Sequence, residues 1–486
     1  MAGHGRRDRS DPGARFFLHS TIPSHYGSWM NNRYLWSVAL VSALGGFLFG
    51  YDWVVIGGAK PFYEAYFRMT QPSQVAWAMS CALIGCLAGA VTSGFLSELI
   101  GRRRALLVSA TVFAASSVGT GMAMSTTAFV LWRISGGVAI GMASGLSPVY
   151  IAEIAPAESR GKLVCLNELT IVLGILAAQT VNWLIARPVA AGASLADIQA
   201  SWNGQEAWRR MFEAAFVPAT VFLAGVFFIP ESPRWLARQG YWERTERVLR
   251  RFGGEEYAER TVRELRAVLL MESTRALSLS GRKHRLRRVL LIGLILAVLQ
   301  QWCGINVIFN YAQEVFSAAG YSLSNIFFNI VITGIVMCVF TFVAIATVER
   351  LGRRRLMLIG CAGLAILYLI LGMLYFNHQQ GFPLLVLVVA AIACYAMTLA
   401  PITWVVLSEI FPNDVRGACM AACTTALWAA CFVLTYTFPL LNSSLGTART
   451  FWIYAAICSA GFLFVLRYLP ETKQKTLEEI ERSWQK

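Results

Sequence analysis

Charged residues are scarce in this chain. Asp, Glu, Lys and Arg make up 14% of its 486 residues, whereas hydrophobic residues make up 56%. The mean hydropathy is +0.55. About a quarter of the residues of a typical soluble protein are charged. The composition therefore excludes a soluble enzyme, a coiled coil and a disordered chain, and we expect a protein that resides in a lipid bilayer.

Residue patterns that hold metals or carry out catalysis are also missing. None of the five histidines lies inside an apolar run, and neither His-Glu-x-x-His nor Gly-x-Ser-x-Gly occurs. No two of the eleven cysteines are spaced as Cys-x-x-Cys, which argues against zinc sites and a disulfide framework. We therefore expect no metal, no cofactor and no enzymatic activity, and we interpret the cysteines as small packing residues.

Apolar runs of membrane-spanning length are abundant instead. A bilayer is crossed by about twenty apolar residues in a helix. Twelve such runs occur, at roughly 34–57, 74–97, 105–124, 128–151, 163–185, 212–229, 289–311, 325–347, 356–376, 383–407, 418–440 and 450–469. They predict an all-α membrane protein with twelve transmembrane helices.

The net charge of +15 is distributed unevenly between the segments that join these runs. If the N-terminus lies inside the cell, the cytoplasmic segments hold thirty-five of the 42 Lys and Arg residues, and the outer segments hold six, Lys60 among them. This bias is the positive-inside pattern of membrane proteins. It predicts that both termini are cytoplasmic, and it accounts for the charge without a nucleic-acid partner.

Three pairs of motifs repeat in the same order in the two halves. Gly101-Arg-Arg-Arg is matched by Gly352-Arg-Arg-Arg, and Glu153-Ile-Ala-Pro by Glu409-Ile-Phe-Pro. Pro230-Glu-Ser is matched by Pro470-Glu-Thr. Two parallel six-helix repeats with a substrate site between them are typical of secondary transporters.

These repeats and the charge pattern predict the domain organisation. We expect a cytoplasmic tail at 1–33, a six-helix bundle at 34–230 and a cytoplasmic segment of amphipathic helices at 231–288. A second six-helix bundle at 289–469 and a cytoplasmic tail at 470–486 follow. Met30, which leads directly into the first apolar run, is an alternative start to Met1.

Taken together, the motifs resemble those of the sugar porters of the major facilitator superfamily over nearly the whole chain. They are 46-GFLFGYD-52, 101-GRR-103, Arg133, Glu153 with Arg160-Gly161, 230-PESPRWL-236, Gln300-Gln301 with 304-GIN-306, 349-ERLGRR-354, Trp404 to Glu409 with Arg416-Gly417, and 470-PET-472. The chain looks most like bacterial proton-coupled pentose and hexose symporters. The resemblance implies two pseudo-repeated bundles that alternate in access around a central site.

Three ionisable residues, Asp52, Arg133 and Glu168, lie well within apolar runs. Charges inside a membrane are costly, so they usually face a cavity and pair. In the family, the acid that matches Asp52 is the proton site and the arginine that matches Arg133 is its partner. The competing interpretation is a static ion pair between two helices. The acid favours symport over facilitated uniport.

Polar and aromatic residues predict the substrate site. A sugar needs hydrogen-bonding groups for its hydroxyls and a flat apolar wall for its ring. Gln300, Asn306 and Asn310 could share much of one helix face. The resemblance assigns substrate contacts to Phe49, Glu168, Gln300, Gln301, Asn306, Asn310, Trp404 and Trp428. Glu168 stands where relatives commonly have Gln, and it could accept hydroxyls, bind a second proton, attract a cationic group or pair locally.

Clusters of Glu and Arg at the cytoplasmic helix ends predict a gate. The candidate gate residues are Gly101, Arg102, Arg103, Glu153, Arg160, Glu231, Arg234, Glu349, Arg353, Glu409 and Arg416. Arginine and carboxylate groups form bidentate pairs. We expect these pairs to join the two halves when the outer side is open, although some of the arginines could instead meet lipid phosphates.

The sequence therefore predicts a monomeric secondary transporter of the cell membrane that takes up a sugar or polyol, with protons as the coupling ion. Departures such as Ile175, Asn310 and Leu427 from residues common in the family leave a cyclitol or another hydroxylated solute open. A facilitative uniporter or a nutrient sensor built on a transporter fold would share most of the same sequence features.

Overall fold

The protein is represented by a computed structural model. It describes residues 31–156, 159–190, 193–275, 283–318, 320, 323–411, 416–471 and 473. Every regular element in these ranges is a helix. The alternative start at Met30 and most of the predicted C-terminal tail lie outside the described residues.

The first six membrane helices are formed by the N-terminal half. They are α1 (Asn32–Phe67), α2 (Pro72–Ile100), α3 (Arg102–Gly121), α4 (Thr126–Ile154), α5 (Arg160–Ile185) and a segmented sixth helix. The short helix α6 (Leu195–Ala200) precedes that sixth helix, which consists of a π-helical turn (Asn203–Ala207), α7 (Trp208–Glu213) and α8 (Phe216–Phe228).

Two helices connect the halves. They are α9 (Pro233–Arg238) and α10 (Trp242–Arg275), which is kinked at Gly254 with φ of 78°. The kink lies within the segment 231–288, for which the charge pattern predicts amphipathic helices. The backbone N–H of Asn31 donates to the carbonyl of Phe252 at 2.9 Å, so α10 packs against the start of α1.

The second half repeats the arrangement, with two of its helices interrupted. It comprises α11 (Lys283–Trp302), α12 (Ile305–Asn310), α13 (Ala312–Ala318), α14 (Leu323–Leu351), α15 (Arg353–Phe376), α16 (Phe382–Met397), α17 (Leu399–Ile410), α18 (Arg416–Leu445) and α19 (Thr447–Tyr468). The interruptions fall between α11 and α13 and between α16 and α17.

Eleven helices in the described residues are long and apolar enough to cross a membrane. The twelfth, α3, matches its predicted span in position but carries three arginines and several Ser and Thr residues. Its buried hydroxyls bond to backbone carbonyls, as Ser109 does to Ala139 at 2.7 Å. Such bonds satisfy polar groups away from water, so α3 is compatible with a bilayer. The predicted twelve-helix fold is confirmed.

Polar side chains begin several of the helices. The first backbone amides of a helix lack intrahelical partners, and Asn or Ser at the N-cap satisfies one of them. Asn31 accepts from the amide of Tyr34 at 3.2 Å, and Ser125 from that of Ala128 at 3.2 Å. Ser232 does the same for Trp235 at 3.3 Å. These caps fix where α1, α4 and α9 start.

Helices of the two halves pack against each other on both sides of the molecule. Within the first half, α2 lies along α4 and α1 along α5. Between the halves, α2 packs on α18 and α5 on α14. The centre is bordered by α1 and α5 from one half and by α11, α12 and α17 from the other. The two ends of the bundle are called the Arg102 end and the Lys60 end after residues described below.

Two predicted boundaries are wrong in ways that affect the site. The first apolar run was expected to end near residue 57, but α1 continues to Phe67 and includes Lys60. The seventh run was expected to be one helix, but the chain breaks between Trp302 and Ile305, where Gly304 takes φ of 86°. A continuous hydropathy profile does not reveal such a break, because apolar residues continue through it.

Candidate substrate and proton-coupling site

Asp52 on α1 and Arg133 on α4 form a buried ion pair. The Arg133 Nη1 donates to Asp52 Oδ1 at 2.5 Å, and the two residues are 8% and 4% exposed. The guanidinium carbon lies 5.2 Å from the ring centre of Phe212. Within the described residues, Arg133 Nε has no hydrogen-bond partner. The structure therefore brings the two predicted residues together and leaves hydrogen-bonding capacity unused.

The ion pair lies in a narrow cleft that Phe49, Trp53 and Asn310 also line. The walls come from α1, α2 and α4 of the first half and from Asn310 of the second half. The Oδ1 atom of Asn310 is buried and unpartnered among the described residues. A solute in this cleft would reach Asp52 and an amide of the opposite half together.

Aromatic rings join the halves beside the cleft. Phe49 and Trp53 on α1 and Trp428 on α18 have ring centres 5.3 to 6.0 Å apart. Phe49 and Trp53 line the cleft. Trp428 is 2% exposed, and its indole N–H has no partner in the described structure. Trp53 was not among the predicted residues, although it directly follows Asp52 in the motif.

The break after α11 arranges the predicted amides in a chain rather than along one helix face. Asn306 Nδ2 donates to Gln301 Oε1 at 2.5 Å, and Gln301 Nε2 donates to Gln300 Oε1 at 2.8 Å. Gln300 Nε2 in turn donates to the carbonyl of Ala400 at 3.4 Å. Because Gly304 interrupts the helix with φ of 86°, Gln300 lies on α11 whereas Asn306 and Asn310 lie on α12. The amides still form a connected polar surface.

The other two predicted substrate residues are not among the described residues that line the cleft. Glu168 on α5 and Trp404 on α17 are both partly buried. The structure gives Glu168 no ion pair or hydrogen bond among the residues it describes. Local pairing of Glu168 is thus not observed there, and its carboxylate remains available to a solute.

Arg102 is the centre of a polar cluster at the start of α3. Its guanidinium donates to both carboxylate oxygens of Glu153, each at 3.1 Å, and to Glu98 at 2.6 Å. Glu231 Oε1 accepts from the backbone amides of Arg102 and Arg103 at 2.8 and 3.0 Å. Gly101 has φ of 95°, and a Cβ there would collide with the Glu231 carboxylate. The carboxylate thus caps α3.

The second half repeats this cluster with the matching residues. Arg353 donates to Glu409 at 2.9 and 3.2 Å. Glu471 accepts from the backbone amides of Arg353 and Arg354 at 2.9 and 3.2 Å. Glu471 therefore matches Glu231, as the repeated Pro-Glu motif indicates, although it was not a predicted gate residue. The repeated motifs of the two halves therefore occupy equivalent positions in the structure.

In the part of the chain that the structure describes, the ion pairs found for Arg102 and Arg353 lie within each half, and the bridging role of the gate residues stays a prediction. Arg102 bonds to Glu153 within the first half, and Arg353 bonds to Glu409 within the second. Arg234 is exposed, and Arg160 Nε has no hydrogen-bond partner among the described residues. Burial and the nearby guanidinium of Arg234 lower the pKa of Arg160. The side chains of Glu349 and Arg416 lie outside the described part of the structure.

A second set of buried charges lies outside the predicted site residues. Lys60 and Glu64 were not counted as intramembrane residues, but both lie on α1, and Lys60 is 4% exposed. Lys60 Nζ pairs with Glu64 Oε1 at 2.8 Å and also with Glu314 on α13. The Lys-x-x-x-Glu spacing next to an apolar run was the available signal, since residues four apart share a helix face.

These features define a class of protein. Twelve membrane helices in two repeated units enclose a cleft that contains a buried acid and its basic partner, which is the architecture of a secondary transporter. The match to solved structures is close. The chain superposes on the inward-open xylose transporter XylE from E. coli with a TM-score of 0.80 and 35% identity, over 93% of this chain and 100% of that one.

The sequence comparisons identify the family. The family model described as "Sugar (and other) transporter" matches residues 38–484. The D-xylose-proton symporter of Escherichia coli K12 is 36% identical over 94% of this chain and 96% of that protein. The arabinose-proton symporter of Bacillus subtilis is 36% identical over 92% and 94%. The chain belongs to the sugar transporter family, and its relatives and structural neighbours are transporters rather than enzymes.

The carboxylate cap of α3 gives a testable prediction about stability. Glu231→Gln keeps the shape but removes the charge that faces the positive end of the helix. A charge in that position contributes about 0.3–2 kcal/mol, so we expect a lower unfolding temperature in detergent, followed by tryptophan fluorescence. Glu471→Gln is the matched variant in the second half and should have a similar effect. An unchanged unfolding temperature in both variants would contradict the capping role.

Proposed function

We propose that this protein takes up a monosaccharide or related polyol across the cell membrane together with a proton. This proposal rests mainly on the buried Asp52–Arg133 ion pair, which lies in a cleft that both halves line. Membership of the sugar transporter family supports the substrate class, and the named functions of the xylose and arabinose relatives support proton coupling. An enzymatic activity is not part of this proposal.

The proposed coupling mechanism uses the ion pair as a switch. Arg133 next to Asp52 favours the charged form of the carboxyl, whereas an apolar surrounding without the guanidinium favours the protonated form. When Arg133 moves away, Asp52 takes up a proton and the pair no longer holds α1 to α4. When the pair re-forms, the proton leaves. An unpaired charge in the membrane would cost about 3 kcal/mol or more, which links proton binding to helix movement.

The proposed substrate site combines hydrogen-bonding and apolar surfaces. The amide chain from Gln300 to Asn306 supplies donors and acceptors on one side, and the rings of Phe49 and Trp53 supply a flat wall on the other. Both are needed for a polyhydroxylated ring. A cyclitol fits the same chemistry. A facilitative uniporter or a nutrient sensor would not need a buried acid with a switchable partner.

The proposed orientation places the Arg102 end in the cytoplasm and the Lys60 end outside. The excess of Lys and Arg in the segments at the Arg102 end supports this assignment. Both termini are then cytoplasmic. We propose the domain boundaries given above, a bundle at 34–230 and another at 289–469, and a monomer as the working unit. Alternation would then swap the intra-half pairs of Arg102 and Arg353 for contacts between halves.

The substrate is found most directly by an uptake screen. Transporter-deficient cells that express the chain would be supplied with radiolabelled pentoses, hexoses, polyols and inositols, with and without a protonophore. The proposal predicts that at least one of them accumulates above its outside concentration and that the protonophore abolishes the accumulation. Substrate accumulation that the protonophore does not reduce would contradict proton coupling.

The switch role of Asp52 predicts a split between accumulation and exchange. Asp52→Asn cannot cycle a proton, so uptake should stop at equal concentrations inside and outside while exchange of substrate across a preloaded membrane continues. Asp197→Asn, at an exposed acid in the first turn of α6 that accepts from the backbone amide of Ser194, is the matched control and should behave as wild type. An Asp52→Asn variant that still concentrates substrate would show that the proton binds elsewhere.

The unpaired carboxylate of Glu168 generates a second prediction. A hydrogen bond to a charged acceptor is worth about 1 kcal/mol more than one to a neutral acceptor. If Glu168 accepts substrate hydroxyls, Glu168→Gln should therefore raise the KM for uptake about fivefold to tenfold and leave proton coupling intact. A KM equal to that of wild type would argue against substrate contact, and lost accumulation at normal exchange would indicate a second proton site.

A further inference from the structure

Three charged groups meet between the halves at the Lys60 end. Lys60 Nζ is paired with Glu64 Oε1 on the same helix at 2.8 Å and with Glu314 Oε1 on α13 of the other half. The side chains of Lys60, Glu64 and Glu314 are 5%, 15% and 27% exposed. We call these residues the Lys60 cluster. It contains one cation and two carboxylates, and the ammonium is the most deeply buried of the three.

The surrounding contacts place the Lys60 cluster in a closed seam. At Gly57, one turn before Lys60, an added Cβ would lie 2.8 Å from the carbonyl oxygen of Phe309 on α12. Half a turn beyond Lys60, Phe62 stacks on Phe327 of α14 with ring centres 5.8 Å apart. The Lys60 ammonium also lies 5.9 Å from the ring centre of Tyr311. The α1 helix is therefore packed directly on the second half along two turns.

Opening of the seam between α1 and α13 would affect the Glu64 and Glu314 carboxylates differently. Glu64 is four residues from Lys60 on the same helix, so it moves with Lys60. Glu314 belongs to α13, so it moves with the other half. Separation of α1 from α13 therefore breaks the Lys60–Glu314 pair but preserves the Lys60–Glu64 pair. Glu314, the most exposed member, exchanges its partner for water.

We propose that the Lys60 cluster is an asymmetric latch of the outer gate, in which Glu314 closes the gate and Glu64 makes opening possible. A buried ammonium without a partner is strongly unfavourable. Glu64 removes that penalty from the open state because it continues to neutralise Lys60. The Lys60–Glu314 pair therefore stabilises the closed seam, and the Lys60–Glu64 pair keeps the open state accessible. The inference rests on the proposed orientation and on alternating access.

The asymmetry predicts effects of opposite sign for two equivalent substitutions. Glu314→Gln weakens the closed seam and leaves Lys60–Glu64 intact, so it should shift the protein toward the state that is open at the Lys60 end. Glu64→Gln leaves Lys60 with Glu314 alone, and opening would then leave the Lys60 ammonium without a carboxylate partner. It should shift the protein toward the closed state. Couplings of this kind are commonly about fivefold or more in an equilibrium constant.

Hydrogen–deuterium exchange with mass spectrometry of the purified proteins can measure both shifts. Peptides from the last two turns of α1 and from α12–α13 should exchange about fivefold faster in Glu314→Gln and slower in Glu64→Gln than in wild type. Glu213→Gln, at a partly exposed acid of α7 paired with Arg210, is the matched control and should leave these peptides unchanged.

Two outcomes would overturn the latch. One is equal exchange in wild type and both variants, which would mean that the cluster has no part in gating. The other is faster exchange in both variants, which is expected if the carboxylates serve stability alone. Should Glu64→Gln fail to fold, Glu64→Asp replaces it, because the shorter side chain weakens the same pair, and it must also slow exchange.

The exchange measurement is independent of the proposed transport activity. It needs neither the substrate nor a proton gradient. If the uptake screen fails but the two variants shift in opposite directions, the latch stands and the proposed substrate or coupling is wrong. If uptake is proton-driven but the shifts are absent, the proposed function stands and the outer gate depends on other contacts.

Discussion

The cost of holding a charge away from water is the constraint on which this structure depends. An unpaired charge within a membrane is unfavourable by several kcal/mol, and pairing relieves this cost at Asp52 and at Lys60. Asp52 and Arg133 lie on different helices of one half, with both side chains almost fully buried. Their pairing holds α1 to α4 as long as both are charged. In the proposed mechanism, a proton on Asp52 removes the charge that attracts Arg133, so proton binding is coupled to movement of α1 relative to α4.

The same rule organises both ends of the molecule. At the Arg102 end, carboxylates cap α3 and α15 and pair with arginines inside each half. At the Lys60 end, one ammonium joins the two halves through Glu314. The first arrangement stiffens each half as a unit, and the second holds the units together at one end. Between them lies the cleft, which Asn310 of the second half lines together with Phe49 and Trp53, whose rings contact Trp428 of the second half. Rigid units with a single set of exchangeable contacts are what alternating access requires.

Most of the fold could be predicted from sequence because length and apolar content alone define a membrane helix, and because the repeated Gly-Arg-Arg and Pro-Glu motifs mark equivalent positions. The pairing of Asp52 with Arg133 was also predictable, because opposite charges buried in one bundle are stabilised by contact with each other. The break at Gly304 was not, since the run of apolar residues continues through it. Lys60 was interpreted as a surface residue because a lysine near the end of an apolar run usually is one. The pairing of Arg102 with Glu153 and of Arg353 with Glu409 inside each half depends on the conformation of the transporter, which the sequence does not specify.

The central claim is that substrate and proton move together through the Asp52–Arg133 switch. Proteoliposomes that contain the purified protein and an internal pH-sensitive dye test it directly, once the uptake screen has supplied the substrate. An outward-to-inward substrate gradient imposed without any pH gradient should acidify the lumen, and Asp52→Asn should remove this acidification while substrate still enters. Entry of substrate into wild-type vesicles with no change in internal pH would contradict the account.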